Sequence, residues 1–118
     1  PADPAGALVA ANHTYEDATP CWRACRQALL RVGRRYPVVT SEIGDVDCDH
    51  KYIDRYMHWA DRHGISYLGW AWYLKDNCDP SLIENWSGRP SSFGIGLREH
   101  LRKLDARERR EQKRGGRR

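Results

Sequence analysis

The chain has no apolar run near the roughly 18 residues that a membrane-spanning helix needs, and no apolar heptad persists along it, so neither a membrane span nor a coiled coil is expected. Its amino terminus lacks the basic stretch and apolar core of a signal peptide. No glycine motif follows a strand pattern to cradle a phosphate, since Gly94-Ile95-Gly96 falls inside a helical pattern, and the cysteine spacing is not that of a zinc ribbon or finger. Net positive charge is absent from most of the chain. Residues 1–102 hold twelve Lys/Arg against thirteen Asp/Glu, and the net +4 arises in 103–118, with eight against three. A nucleic-acid binder carries its basic patch on the folded body, so nucleic acid is not an expected partner.

The 118 residues, 40% hydrophobic and 31% charged, suit one small domain and do not have the composition of a disordered chain. The pattern divides it into a folded part, 1–104, and a basic tail, 105–118, expected to be a solvated helix end fraying into disorder. Residues 8–12 are a short apolar run that reads as a strand entering a polar loop. From 21 to 35, Trp22, Cys25, Leu29 and Val32 recur at helical spacing, and Pro37 ends that helix. Val38 to Ile43 make a second strand, with Gly44 breaking it. Ile53, Tyr56, Met57 and Ala60 mark a second amphipathic helix ending near Gly64. A third strand is expected over 65–72, then a long irregular stretch over 73–90. A last helix, capped by Ser91 or Ser92, carries Ile95, Leu97, Leu101 and Leu104.

Strand and helix alternate three times at about 25 to 30 residues per unit, which argues for parallel strands with right-handed crossovers in an α/β fold. In such folds the site lies where strands end. There stand His13 and Tyr15 after the first strand, Glu42 at the end of the second, and Trp70 on the third. A carboxylate can attack an anomeric carbon and aromatic faces pack on pyranose rings, so this set points to sugar chemistry.

The segments Val9-Ala10-Ala11-Asn12-His13-Thr14-Tyr15, Pro37-Val38-Val39-Thr40-Ser41-Glu42-Ile43-Gly44 and Tyr67-Leu68-Gly69-Trp70-Ala71-Trp72, in that order and spacing, resemble the last three strands of a glycoside hydrolase family 5 cellulase. The resemblance runs from about Leu8 to Leu101 and takes in Tyr56 to Asp61 and Cys78 to Ile83. It implies a partial (β/α)8 barrel made of the last three β/α units. It further implies a retaining β-glycan endo-hydrolase as the parent, with Glu42 as nucleophile, His13 and Tyr15 contacting substrate and the nucleophile, and Trp70 flooring a subsite. Trp72 is left to packing, and Tyr73 stands where many relatives carry Asn. No cofactor is implied.

The family's acid/base glutamate sits in an Asn-Glu pair upstream of the His-x-Tyr motif, and no Asn-Glu pair occurs in this sequence. Retaining hydrolysis uses two carboxyl groups about 5 to 5.5 Å apart. The expectation is therefore a chain that carries the nucleophile, awaits an amino-terminal part of the barrel, and is inactive alone. A non-catalytic carbohydrate-binding remnant is the alternative. The partner in either case is a β-glucan or a related β-linked polysaccharide.

Four cysteines allow more than one disulfide pairing. Cys48 and Cys78 lie in loops after adjacent strands, and their bond would tie down the long loop and place the parent outside the cell. The stretch Asp45-Val46-Asp47-Cys48-Asp49 fails the EF-hand pattern, with His50 where glycine and Tyr56 where glutamate is required. A solvated loop without metal is expected there.

Overall fold

The computed structural model describes residues 3–16, 22–47, 49–75 and 80–115. The elements run β1 (Ala10–Tyr15), α1 (Trp22–Gly33), β2 (Val38–Gly44), α2 (Lys51–Arg62), β3 (Ser66–Gly69) and α3 (Ser92–Gly115). The strands form one parallel sheet in the order β1-β2-β3. Each crossover contains a helix, the arrangement expected from the alternating pattern and compatible with part of a barrel.

The core lies between β2 and α2. Tyr52, Ile53, Tyr56, Met57, Trp59 and Ala60 of α2 are buried at spacings of three and four, and they pack on Val38 and Ile43 of β2, Ile65, and Phe93 and Leu97 of α3. Each such side chain contributes about 1.5–3 kcal/mol by leaving water. Gly64, at φ +64°, ends α2 in a left-handed conformation, and its N–H donates to the Asp61 carbonyl. At the other end Asp45 accepts the Ile53 N–H at 3.2 Å, placing a carboxylate on the positive end of the helix.

Several expected boundaries move. The first strand starts at Ala10 and continues through His13, Thr14 and Tyr15, which read as a loop, because each of them finds a backbone partner on β2. The third strand ends at Gly69: beyond it Ala71 turns away to bond Pro80 and Leu82. Helix α1 has no buried residue, and Cys25 and Val32, expected in its buried face, are exposed. It packs against the core through the half-buried Trp22, Leu29 and Leu30, and the Trp22 ring meets Tyr52 and Tyr56 edge-on at 5.3 and 6.2 Å. On α3 the buried stripe is Phe93, Gly94, Gly96, Leu97 and His100, whereas Ile95 and Leu101 are largely exposed. The helix then runs unbroken past 104 to Gly115. Within 105–115, i,i+4 pairs of Arg109 with Asp105 and Arg107 with Glu111 favour helix without any packing.

The Cys48–Cys78 pairing lies outside the described residues. Cys25 is disulfide-bonded. No helix of the structure is long and apolar enough to cross a membrane.

Candidate functional site

Side chains on β1 alternate between the helix layer and the open face of the sheet. Asn12 and Thr14 point to the helices. Asn12 Oδ1 accepts from the Thr40 hydroxyl at 2.9 Å, Thr40 in turn bonds the Tyr56 hydroxyl, and Thr14 bonds the Tyr52 hydroxyl. The Asn12 side chain is thereby engaged within the fold. His13 and Tyr15 take the opposite face.

On β2, strict alternation would send Glu42 to the side of Val38 and Thr40, under α2. It does not, because β2 carries one extra residue. Val38, Val39 and Thr40 pair with Ala10, Ala11 and Asn12, but His13 pairs with Glu42, skipping Ser41, and the register against β3 slips in the same interval. This bulge restores Ile43 to the core, where it is fully buried, and turns Glu42 toward His13 and Tyr15. The Tyr15 hydroxyl donates to Glu42 Oε2 at 2.5 Å, and His13 Nδ1 lies 3.2 Å from the same oxygen. Gly44 permits this approach. A Cβ there would stand 2.8 Å from the Tyr15 ring, closer than real contacts allow.

Three of the four expected site residues therefore converge. Trp70 follows the end of β3, its N–H bonded to the Ile43 carbonyl at 2.9 Å, so it stands beside the carboxyl end of β2 with 45% of its surface exposed. Trp72, expected to pack, is 64% exposed and borders an apolar hollow of about 470 Å³ with Leu82, Ile83 and Leu97. The Glu42 side chain is 19% exposed and that of His13 is 54%, so the carboxylate is sheltered while the imidazole reaches solvent.

The loop after β2 is exposed at Val46 and Asp47, as expected of a solvated loop, but not at Asp45. Asp45 is 1% exposed, and burial, with Asp47 and Glu16 nearby, pushes its carboxyl up to about 6 despite the Ile53 N–H that favours the charged form. A carboxylate with a raised folded pKa penalises the folded state once it ionises. The penalty is absent below about pH 4, grows through about pH 6, and is fully present above it, reaching about 3 kcal/mol. In EDTA, Asp45→Asn is expected to be more stable than the native chain at pH 8 and equal to it at pH 4. Thermal melts at the two pH values check this, and an equal difference at both would refute it.

No protein-family model matches the chain, and neither does any curated protein. The fold is similar to that of the β-glucanase SdGluc5_26A from Saccharophagus degradans, in its native form (TM-score 0.61, 21% identity) and in complex with cellotetraose (TM-score 0.60, 20% identity). In both, the match covers 81% of this chain and 33% of the other, so the chain spans about a third of the length of these structures.

Proposed function

We propose that the chain forms the carboxy-terminal three β/α units of a family 5 type β-glycan hydrolase barrel, with Glu42 as the nucleophile of a retaining double displacement. The observation that carries this reading is the Glu42 carboxylate turned out of the core by the bulge and held by the Tyr15 hydroxyl beside His13. In the first step a Glu42 oxygen bonds to the anomeric carbon as the glycosidic C–O bond breaks, and the leaving oxygen takes a proton from an acid supplied by the upstream part of the barrel. In the second, water cleaves the glycosyl ester and releases Glu42. Tyr15 fixes the attacking carboxylate, His13 reaches sugar hydroxyls, and the exposed face of Trp70 supports a pyranose ring. The cellotetraose held by the structural neighbour supports a β-linked glucan as the substrate class. The disulfide at Cys25 supports an oxidising compartment and hence an exported parent.

A substrate that needs no proton donor tests the nucleophile in the chain itself. A 2-deoxy-2-fluoro-β-cellobioside with a dinitrophenolate leaving group departs unaided, and its fluorine slows release of the glycosyl ester. One adduct on Glu42 by peptide mass spectrometry, absent in Glu42→Gln, is the expected result; an adduct on another residue, or none, counts against the proposal. Tyr15→Phe removes a hydrogen bond to a charged group worth about 1.5–3 kcal/mol, so it should slow labelling about 10-fold or more while leaving the circular dichroism unchanged.

The exposure of Trp70 and His13 favours a second reading, non-catalytic carbohydrate binding. That reading expects cello-oligosaccharide binding to survive Glu42→Gln and to be lost in Trp70→Ala.

A further inference from the structure

The register that pairs Tyr15 with Gly44 sets the chain leaving β1 beside the loop leaving β2. Glu16 stands in the first and Asp45 and Asp47 in the second, and one carboxylate oxygen from each lies within 4.8 Å of the others. All three line an open hollow of about 510 Å³. Acidic residues gather on many surfaces without consequence, but a second, independent feature sets this group apart. Asp45 is only 1% exposed; its Oδ2 accepts the Ile53 N–H, while Oδ1, also buried, has no hydrogen-bond partner among the described residues. A buried carboxylate oxygen left without a donor is costly, and native structures seldom keep one without a ligand or ion to satisfy it.

We propose that Glu16, Asp45 and Asp47 hold one calcium ion that clamps the loop after β1 to the loop after β2, beside the ends of the strands that carry Tyr15 and Glu42. The donors are all carboxylate oxygens, which select a hard cation over zinc or copper. They come from two separate loops around an open space, which suits the six to eight oxygens of calcium, completed by water, better than the strict octahedron of magnesium. Asp47 Oδ1 accepts the Asp49 N–H at 3.0 Å, which orients the carboxylate. Lys51 and Arg55 also border the hollow. The Lys51 ammonium is paired with Asp49, and the Arg55 guanidinium lies 5.7 Å from the Trp22 ring, so both weaken the site without filling it. Affinity of about 10⁻⁴ M follows, in the range of extracellular calcium modules.

The site stands apart from the catalytic reading and is tested without any assay of hydrolysis. The chain, stripped with EDTA, is titrated with CaCl2 by isothermal calorimetry and melted with and without about 5 mM CaCl2, some fifty times the expected dissociation constant. One saturable site and a melting midpoint several degrees higher are expected, with MgCl2 at the same concentration giving at most half the shift. Glu16→Gln and Asp47→Asn, at half-buried and exposed positions, should each weaken binding about tenfold or more. No saturable binding up to about 10 mM CaCl2, equal responses to magnesium, or full binding by both variants would overturn the proposal. Terbium luminescence reports occupancy without a cooperative melt, so the same outcomes can be read in a chain that melts gradually.

Discussion

Under the proposed function, the chain joined to upstream β/α units that complete a barrel and carry an Asn-Glu pair is expected to hydrolyse β-glucan, and Glu42→Gln to lower kcat by about 10⁴-fold or more. Loss of a group that forms the covalent bond removes the pathway, whereas loss of a merely structural carboxylate costs stability and leaves kcat within about tenfold. The two are separated by a rescue. In Glu42→Gly, azide can occupy the space of the carboxylate and attack the anomeric carbon from the same side, so an activated β-cellobioside yields an α-glycosyl azide. Formation of that product identifies the face from which Glu42 acts, and a β-azide or no product would remove it from the reaction. On the same proposal, the 118-residue chain alone should show no turnover of unactivated glucan, because its sequence holds no Asn-Glu pair.

Gly94→Ala is expected to cost about 3 kcal/mol or more. Gly94 lies in the first turn of α3, and a Cβ there would stand 2.0 Å from the Leu82 carbonyl oxygen. That oxygen cannot retreat easily, since it accepts the Ser91 N–H at 3.1 Å. Both the contact and its neighbour are backbone, so the helix start itself must shift, dragging Phe93 and Leu97 out of their contacts with α2. Gly96 is hemmed in differently. Its Cβ would meet the His50 Cβ and Cγ at 2.5 Å, a shallower overlap than the 2.0 Å at Gly94, so Gly96→Ala should cost less than Gly94→Ala. Urea unfolding of the two variants checks the order, and a Gly94→Ala loss under about 1 kcal/mol would show that the helix can slide.

These glycines show where sequence reasoning stops. Gly94-Ile95-Gly96 is legible as not being a phosphate loop, since it sits inside a helical pattern. What the glycines do depends on a carbonyl 12 residues upstream and on an imidazole that precedes another helix, neither of which local pattern reveals. The same holds on α3 at large: its periodicity marks Ile95, Leu97, Leu101 and Leu104, yet the side that packs is the one bearing Phe93, Leu97 and His100. Helical period gives a face only to within the rotation that neighbours impose.

The sequence by itself determined the alternation of three strands with three helices, the parallel order that short crossovers demand, the placement of His13, Tyr15, Glu42 and Trp70 at strand ends, and the confinement of net positive charge to residues 103–118. These follow from local periodicity, turn residues and chain connectivity, which neighbours in sequence decide. Tertiary structure decided the rest. The extra residue at Ser41 turns Glu42 out from under α2 and onto Tyr15, and only pairing with β1 reveals it. Asp45, one position beyond a strand and outwardly a loop acid, is buried because the start of α2 closes over it, and Glu16 joins it from the end of the neighbouring strand. Bulges, burial and convergent carboxylates are relations between segments distant in the chain, so their physics begins only when the chain has folded.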